Sequence, residues 1–224
     1  MSNDTLHPEL QHYVSSHPSL GKLLQHPLVY WIPYQESFNS MINELYQRKL
    51  TQCDDAIREN DWAKFVHLHE KPFRVPAFLK VIDNLNDKEY WELLSHIWTT
   101  SENVSQYYDV WCELWSANRP DRQFTMSDNE LKALKRFPET VTIYRGYCHE
   151  DAVNGLSWTL RRSQALWFAQ RFGGMAGREP RVAIAEANRD DILAYFSSEK
   201  EIVILPEHLR ILRETEVNLI VPPL

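Results

Sequence analysis

Glycine is scarce in this chain, 6 of 224 residues, which excludes a glycine-rich fibrous or low-complexity protein. Cysteine is scarcer still. Cys53, Cys112 and Cys148 are far apart, odd in number and form no C-x-x-C pair, so neither a disulfide framework nor a cysteine zinc site is expected. Positive charge is in deficit: 24 Lys and Arg against 31 Asp and Glu leave a formal net charge of −7. That balance weighs against a nucleic-acid grip, which needs a basic stripe for phosphates. No apolar run reaches the length of a membrane span. The opening residues, MSNDTLHPELQHYVSSHPSL, carry neither the basic nor the apolar segment of a secretory leader. The expectation is a soluble protein of a reducing cytoplasm with no membrane partner.

What is present suffices for a core: 43% hydrophobic residues, with 8 Trp, 9 Phe and 10 Tyr. Residues 1–35 scatter Pro8, Pro18, Pro27 and Pro33 among apolar residues, which predicts short helices and turns or an irregular arm. Residues 36–138 read as helical. Phe38, Met41, Ile42 and Leu45 form a stripe at i, i+3, i+4, i+7, as do Tyr107, Val110, Trp111 and Leu114, and Leu94, Ile97 and Trp98 follow i, i+3, i+4. Ser127 and Glu130 have the spacing of a capping box. HLHE (His67–Glu70) has the look of metal ligands, but no further ligand follows at a convincing spacing, and solvated helix-end residues are the expectation. No metal site is expected.

From residue 139 to 224 the texture changes to strands: TVTIYRG, GLSWT, RVAIAEA, DILAYF, EIVIL and VNLIV. One helix interrupts them, SQALWFAQRF, with Ser163 at the N-cap position. Helices first and strands later predict an α+β fold with a compact β-rich second part. Glu199 and Glu201 open the EIVIL strand one residue apart, so in an extended chain both point to one side and repel.

Arg145 in YRG, Ser157 and Thr159 in SWT, and the paired Glu199 and Glu201 in EKE follow one another in an order that resembles the arginine–serine–glutamate class of mono-ADP-ribosyltransferases, which includes toxin and phage enzymes. The resemblance covers residues 140–221 and implies a split β-sheet unit that uses NAD⁺ as substrate, with a protein arginine as acceptor. It implies that Glu201 stabilises the oxocarbenium-like ribose and that Glu199 activates the incoming guanidinium. By the same resemblance Arg145 grips the pyrophosphate or ribose, Gly146 pairs with the nicotinamide amide, Ser157 holds the catalytic glutamate and Thr159 supports the strand. Phe168 is the first candidate to stack on nicotinamide, ahead of Trp158, Trp167 and Tyr195.

Two departures stand out. Bulky Trp158 occupies the centre of a motif that is usually Ser-Thr-Ser, and only eleven residues separate Arg145 from Ser157. The implied activity is an NAD⁺–protein-arginine ADP-ribosyltransferase, with an NAD⁺ glycohydrolase and a non-catalytic interaction protein as alternatives. A phage or bacterial effector acting in the cell that makes it fits this reading. Residues 139–224 hold 10 Lys and Arg against 12 Asp and Glu, which again weighs against a nucleic-acid substrate.

Overall fold

A computed structural model describes residues 5–101, 104–176 and 178–217. The chain is α+β, with helices in its N-terminal part and antiparallel sheets, and it divides into one unit up to residue 103 and a second from residue 104. The two short helices of residues 104–138 therefore belong with the strands that follow. No helix of the described residues is long and apolar enough to cross a membrane.

The first unit opens with helix α1 (Pro8–Gln11) and an antiparallel sheet of β1 (Val14–His17), β2 (Gly21–His26) and β3 (Val29–Trp31). The sequence reading expected short helices and turns or an irregular arm here, and the sheet was not foreseen. Pro18 falls in the turn after β1 and Pro27 in the turn after β2, where a missing N–H breaks no ladder, and Pro8 opens α1. Gly21 closes the first turn at φ 73°, a left-handed conformation that glycine adopts without strain.

Four helices follow: α2 (Asn39–Glu59), α3 (Trp62–Leu68), α4 (Arg74–Val81) and α5 (Asp87–Thr100). On α2 the buried side is Ile42, Tyr46, Cys53 and Ala56, and Met41 is exposed, so the expected stripe is rotated. Tyr46 is on that buried side, its ring 4.9 Å from His7 and 5.0 Å from His26. On α5 the expected residues Leu94, Ile97 and Trp98 are all buried, and Asn86 with Glu89 makes a full capping box.

The second unit holds α6 (Tyr108–Trp115), α7 (Asp128–Leu134), β4 (Thr140–Tyr147), β5 (Ser157–Thr159), α8 (Arg162–Ala176), β6 (Arg181–Asn188), β7 (Ala194–Phe196), β8 (Glu201–Val203) and β9 (Leu209–Glu216). Its six strands lie in the order β7-β8-β5-β4-β6-β9, each pair antiparallel. Val141, Ile143, Trp158, Tyr195, Ile202 and Ile204 build the main core, joined by Ala133 and Leu134 of α7. Ala165 and Ala169 of α8 pack with Val182 in a second, smaller cluster. The capping box expected at Ser127 and Glu130 is present. Helix α8 begins at Arg162, so Ser163 lies inside the first turn and does not precede it. Strand β9 was not legible: LRILRETE carries four charged residues, and it forms the exposed edge of the sheet. Apart from Val217, the VNLIV stretch lies outside the described residues.

Candidate functional site

The site begins where β4 and β5 barely pair. Their ladder has one paired position, Tyr144 opposite Thr159, against eight between β4 and β6. Carbonyls alternate sides along a strand. Leu156 O faces β8, where it accepts from Ile204 N, so Ser157 O faces β4. Arg145 supplies the partner that the short ladder does not: its Nη1 donates to Ser157 O at 2.5 Å, and its Nε donates to Ala152 O at 2.7 Å.

The same guanidinium lies flat on Gly155. A Cβ added there would stand 2.0 Å from Nη2 and 2.2 Å from Cζ. The turn at 152–155 is held from two further directions, by Trp158 Nε1 donating to Gly155 O at 2.8 Å and by Tyr108 Oη donating to Asn154 O at 2.8 Å. Burial pulls the Arg145 pKa down to about 10, partly opposed by Glu201 and Tyr108, and the group stays charged at neutral pH. Burial, with Cys112 nearby, pushes Tyr108 up to about 12, against the pull of Arg145.

Glu201 is the first residue of β8 and sits opposite Thr159, which places Ser157 diagonally across on the same face. Ser157 Oγ donates to Glu201 Oε1 at 2.5 Å, the length of a charge-assisted O–H···O⁻ bond. Both residues are half-buried, so the carboxylate is fixed yet reachable.

Glu199 behaves differently. Residues 197–200 form the loop of the β7–β8 hairpin, which closes on the Phe196–Glu201 pair, and Lys200 adopts φ 55°. The extended geometry expected to set Glu199 and Glu201 side by side is therefore broken at Lys200. Glu199 is exposed on the loop, with no side-chain partner among the described residues. Thr159 is buried and pins this loop: its Oγ1 donates to Glu199 O at 3.2 Å and accepts from Arg161 N at 3.2 Å. Leu160 N adds a bond to Lys200 O at 3.0 Å.

Glu130 of α7 braces the hairpin from the other end. Its Oε1 accepts from Ser197 N at 2.7 Å and Ser197 Oγ at 3.0 Å, while Oε2 accepts from Ser127 N at 3.0 Å and Ser127 Oγ at 2.7 Å. Burial opposes its ionised form, but these bonds outweigh burial and hold the carboxyl below its usual pKa.

Gly146 has a packing reason of its own. A Cβ there would stand 1.9 Å from Ala165 O and 2.6 Å from Ala169 N, so α8 rests directly on the β4 backbone. Among the aromatic candidates, Trp158 and Tyr195 are buried in the core, which removes them as stacking surfaces. Phe168 is half-buried, edge-on to the exposed Trp167 at 4.9 Å, with the Arg171 guanidinium 5.2 Å from the centre of the Trp167 ring.

The structure thus brings Arg145, Ser157 and Glu201 together, gives Thr159 and Gly146 supporting positions, and leaves Glu199 on the adjoining loop. Sequence reasoning missed Tyr108, Gly155 and the second use of Glu130. Gly155 was the findable one, since a glycine in so glycine-poor a chain signals a close approach. The histidines of HLHE are not solvated as expected: His69 is buried with Nδ1 at 2.8 Å from Phe65 O, and His67 Nε2 is buried. Compared with known protein families, with curated proteins and with solved structures, the chain finds no match.

Proposed function

We propose that the second unit is an NAD⁺-dependent mono-ADP-ribosyltransferase that transfers ADP-ribose to an arginine of a protein. The observation that carries this reading is the Ser157–Glu201 hydrogen bond, 2.5 Å long, with Arg145 bound to the carbonyl of the same serine. A half-buried carboxylate fixed by a hydroxyl is suited to stabilising positive charge on a ribose ring, because it needs no reorganisation when the charge appears.

The guanidinium of Arg145 fits an anionic dinucleotide. Two of its five N–H groups are committed to Ala152 O and Ser157 O, and in this reading the other three serve phosphate or ribose oxygens. In the reaction the bond between ribose C1′ and nicotinamide nitrogen breaks, and its electron pair leaves with nicotinamide. A guanidinium nitrogen of the acceptor forms the new bond to C1′ and releases a proton. In this reading Glu199, exposed on the adjoining loop, orients the acceptor and takes that proton. Phe168 and Trp167 are the aromatic surface for the nicotinamide ring.

The test is incubation of the protein with labelled NAD⁺ and a cell lysate. Tagged protein and released nicotinamide are expected, both lost in Glu201→Gln. Release without tagging would mean that water is the acceptor and that the enzyme is a glycohydrolase. No release, together with no thermal shift at saturating NAD⁺, would leave docking as the function of the fold.

A further inference from the structure

The first unit contains a pair of histidines that the transferase reading does not use. His67 on α3 and His96 on α5 stand with ring centroids 4.4 Å apart at 76°. They line a cleft with Asp61, Glu89 and Glu92. His67 Nε2 is buried and has no hydrogen-bond partner, an uncommon state for a buried ring nitrogen. A buried imidazole nitrogen with no partner among the described residues suits a metal ion, for which neutral imidazole is the commonest protein ligand.

We propose that His67 and His96, with Glu92 as the third ligand, form a binding site for a divalent transition metal of the zinc type. Two imidazoles on one tetrahedral metal at about 2.0 Å hold their ring centroids about 5 Å apart, so this pair is within a small shift of that spacing. Among the described residues no three ligand groups already stand together, so the third must turn inward. Glu92 is the residue free to do so. It lies one helical turn before His96 on the same face of α5, and its ion pair among the described residues is an exposed one with Lys88 at 3.6 Å. Exposed pairs of that kind contribute little and break easily. The rival carboxylates are occupied, Asp61 capping α3 through Lys64 N and Glu89 in the capping box with Asn86.

The site is tested on the full chain, stripped with chelator and titrated with Zn²⁺ by calorimetry, and separately with Co²⁺ by visible absorption. One zinc per chain is expected, with cobalt bands of a four-coordinate N/O site. The exposed variants His96→Ala and Glu92→Gln, checked for unchanged circular dichroism, should each weaken binding by about tenfold or more. Absence of stoichiometric binding, or equal affinity in His96→Ala, overturns the site.

Discussion

Ser157 and Glu201 meet at 2.5 Å across the β5–β8 pair, diagonal neighbours on one face of the sheet. The hydroxyl therefore does for the carboxylate what packing cannot do on a half-exposed face: it selects one rotamer. A hydrogen bond to a charged group contributes about 1.5–3 kcal/mol. If the carboxylate must be fixed in order to act, Ser157→Ala lowers the rate of the proposed transfer by about 10- to 100-fold and lowers stability by no more than the same ~1.5–3 kcal/mol. Single-turnover assays with labelled NAD⁺ measure it, and an unchanged rate would separate the serine from the chemistry.

Gly146 and Gly155 make a matched pair of substitutions with opposite signatures. At Gly146 the obstacle to a Cβ is helix backbone, 1.9 Å away at Ala165 O, and backbone cannot step aside. Gly146→Ala is expected to lose on the order of 3 kcal/mol of stability, the upper range for overpacking. At Gly155 the obstacle is the far end of Arg145, which can swing away. Gly155→Ala should fold nearly as well as the parent and yet lose transfer, because the guanidinium is pushed off Ser157 O. Thermal melts beside activity assays distinguish the two.

Glu130 ties the α7 cap to the β7–β8 hairpin through Ser127 and Ser197. Glu130→Gln retains the shape but loses the charge, and about 1–2 kcal/mol of stability should go with it. Since the folded carboxyl titrates below its unfolded value, its contribution is complete above the unfolded pKa near 4.3 and disappears as pH falls through the lower folded pKa. The parent should therefore lose more melting temperature between pH 6 and pH 3 than Glu130→Gln does.

The core of the second unit was legible because its strands are short, apolar and bounded by polar residues, as in RVAIAEA and EIVIL. The order Arg145, Ser157, Glu201 was legible for the same reason: Arg145 lies near the end of β4, and Ser157 and Glu201 open β5 and β8. The link between Arg145 and the 152–155 turn was not, because it runs through backbone carbonyls that any residue could supply. Nor was the sheet of residues 14–31, where VSSH carries almost no apolar signal. The left-handed Lys200, which undoes the period-two argument for Glu199 and Glu201, is set by hairpin closure and leaves no mark in composition.

His26 gives the first unit its own acid sensitivity. The imidazole is buried between the rings of Tyr13 and Tyr46, at 4.5 and 5.0 Å, and its Nδ1 accepts from Leu28 N at 3.0 Å. An acceptor nitrogen in that position cannot carry a proton without losing the bond. Burial lowers the pKa to about 4, with His69 and His7 adding to the shift and Glu9 opposing it. Because the folded value lies below the unfolded one, near 6.5, the unfolded chain binds the proton more tightly between those values. The stabilisation is complete above pH 6.5 and falls away as pH drops toward 4, by about 3 kcal/mol over the interval. The expected result is a His26 ring resonance that titrates near pH 4 in the folded protein. A midpoint near 6.5 would mean that the ring is solvated and that the bond to Leu28 N does not hold it neutral.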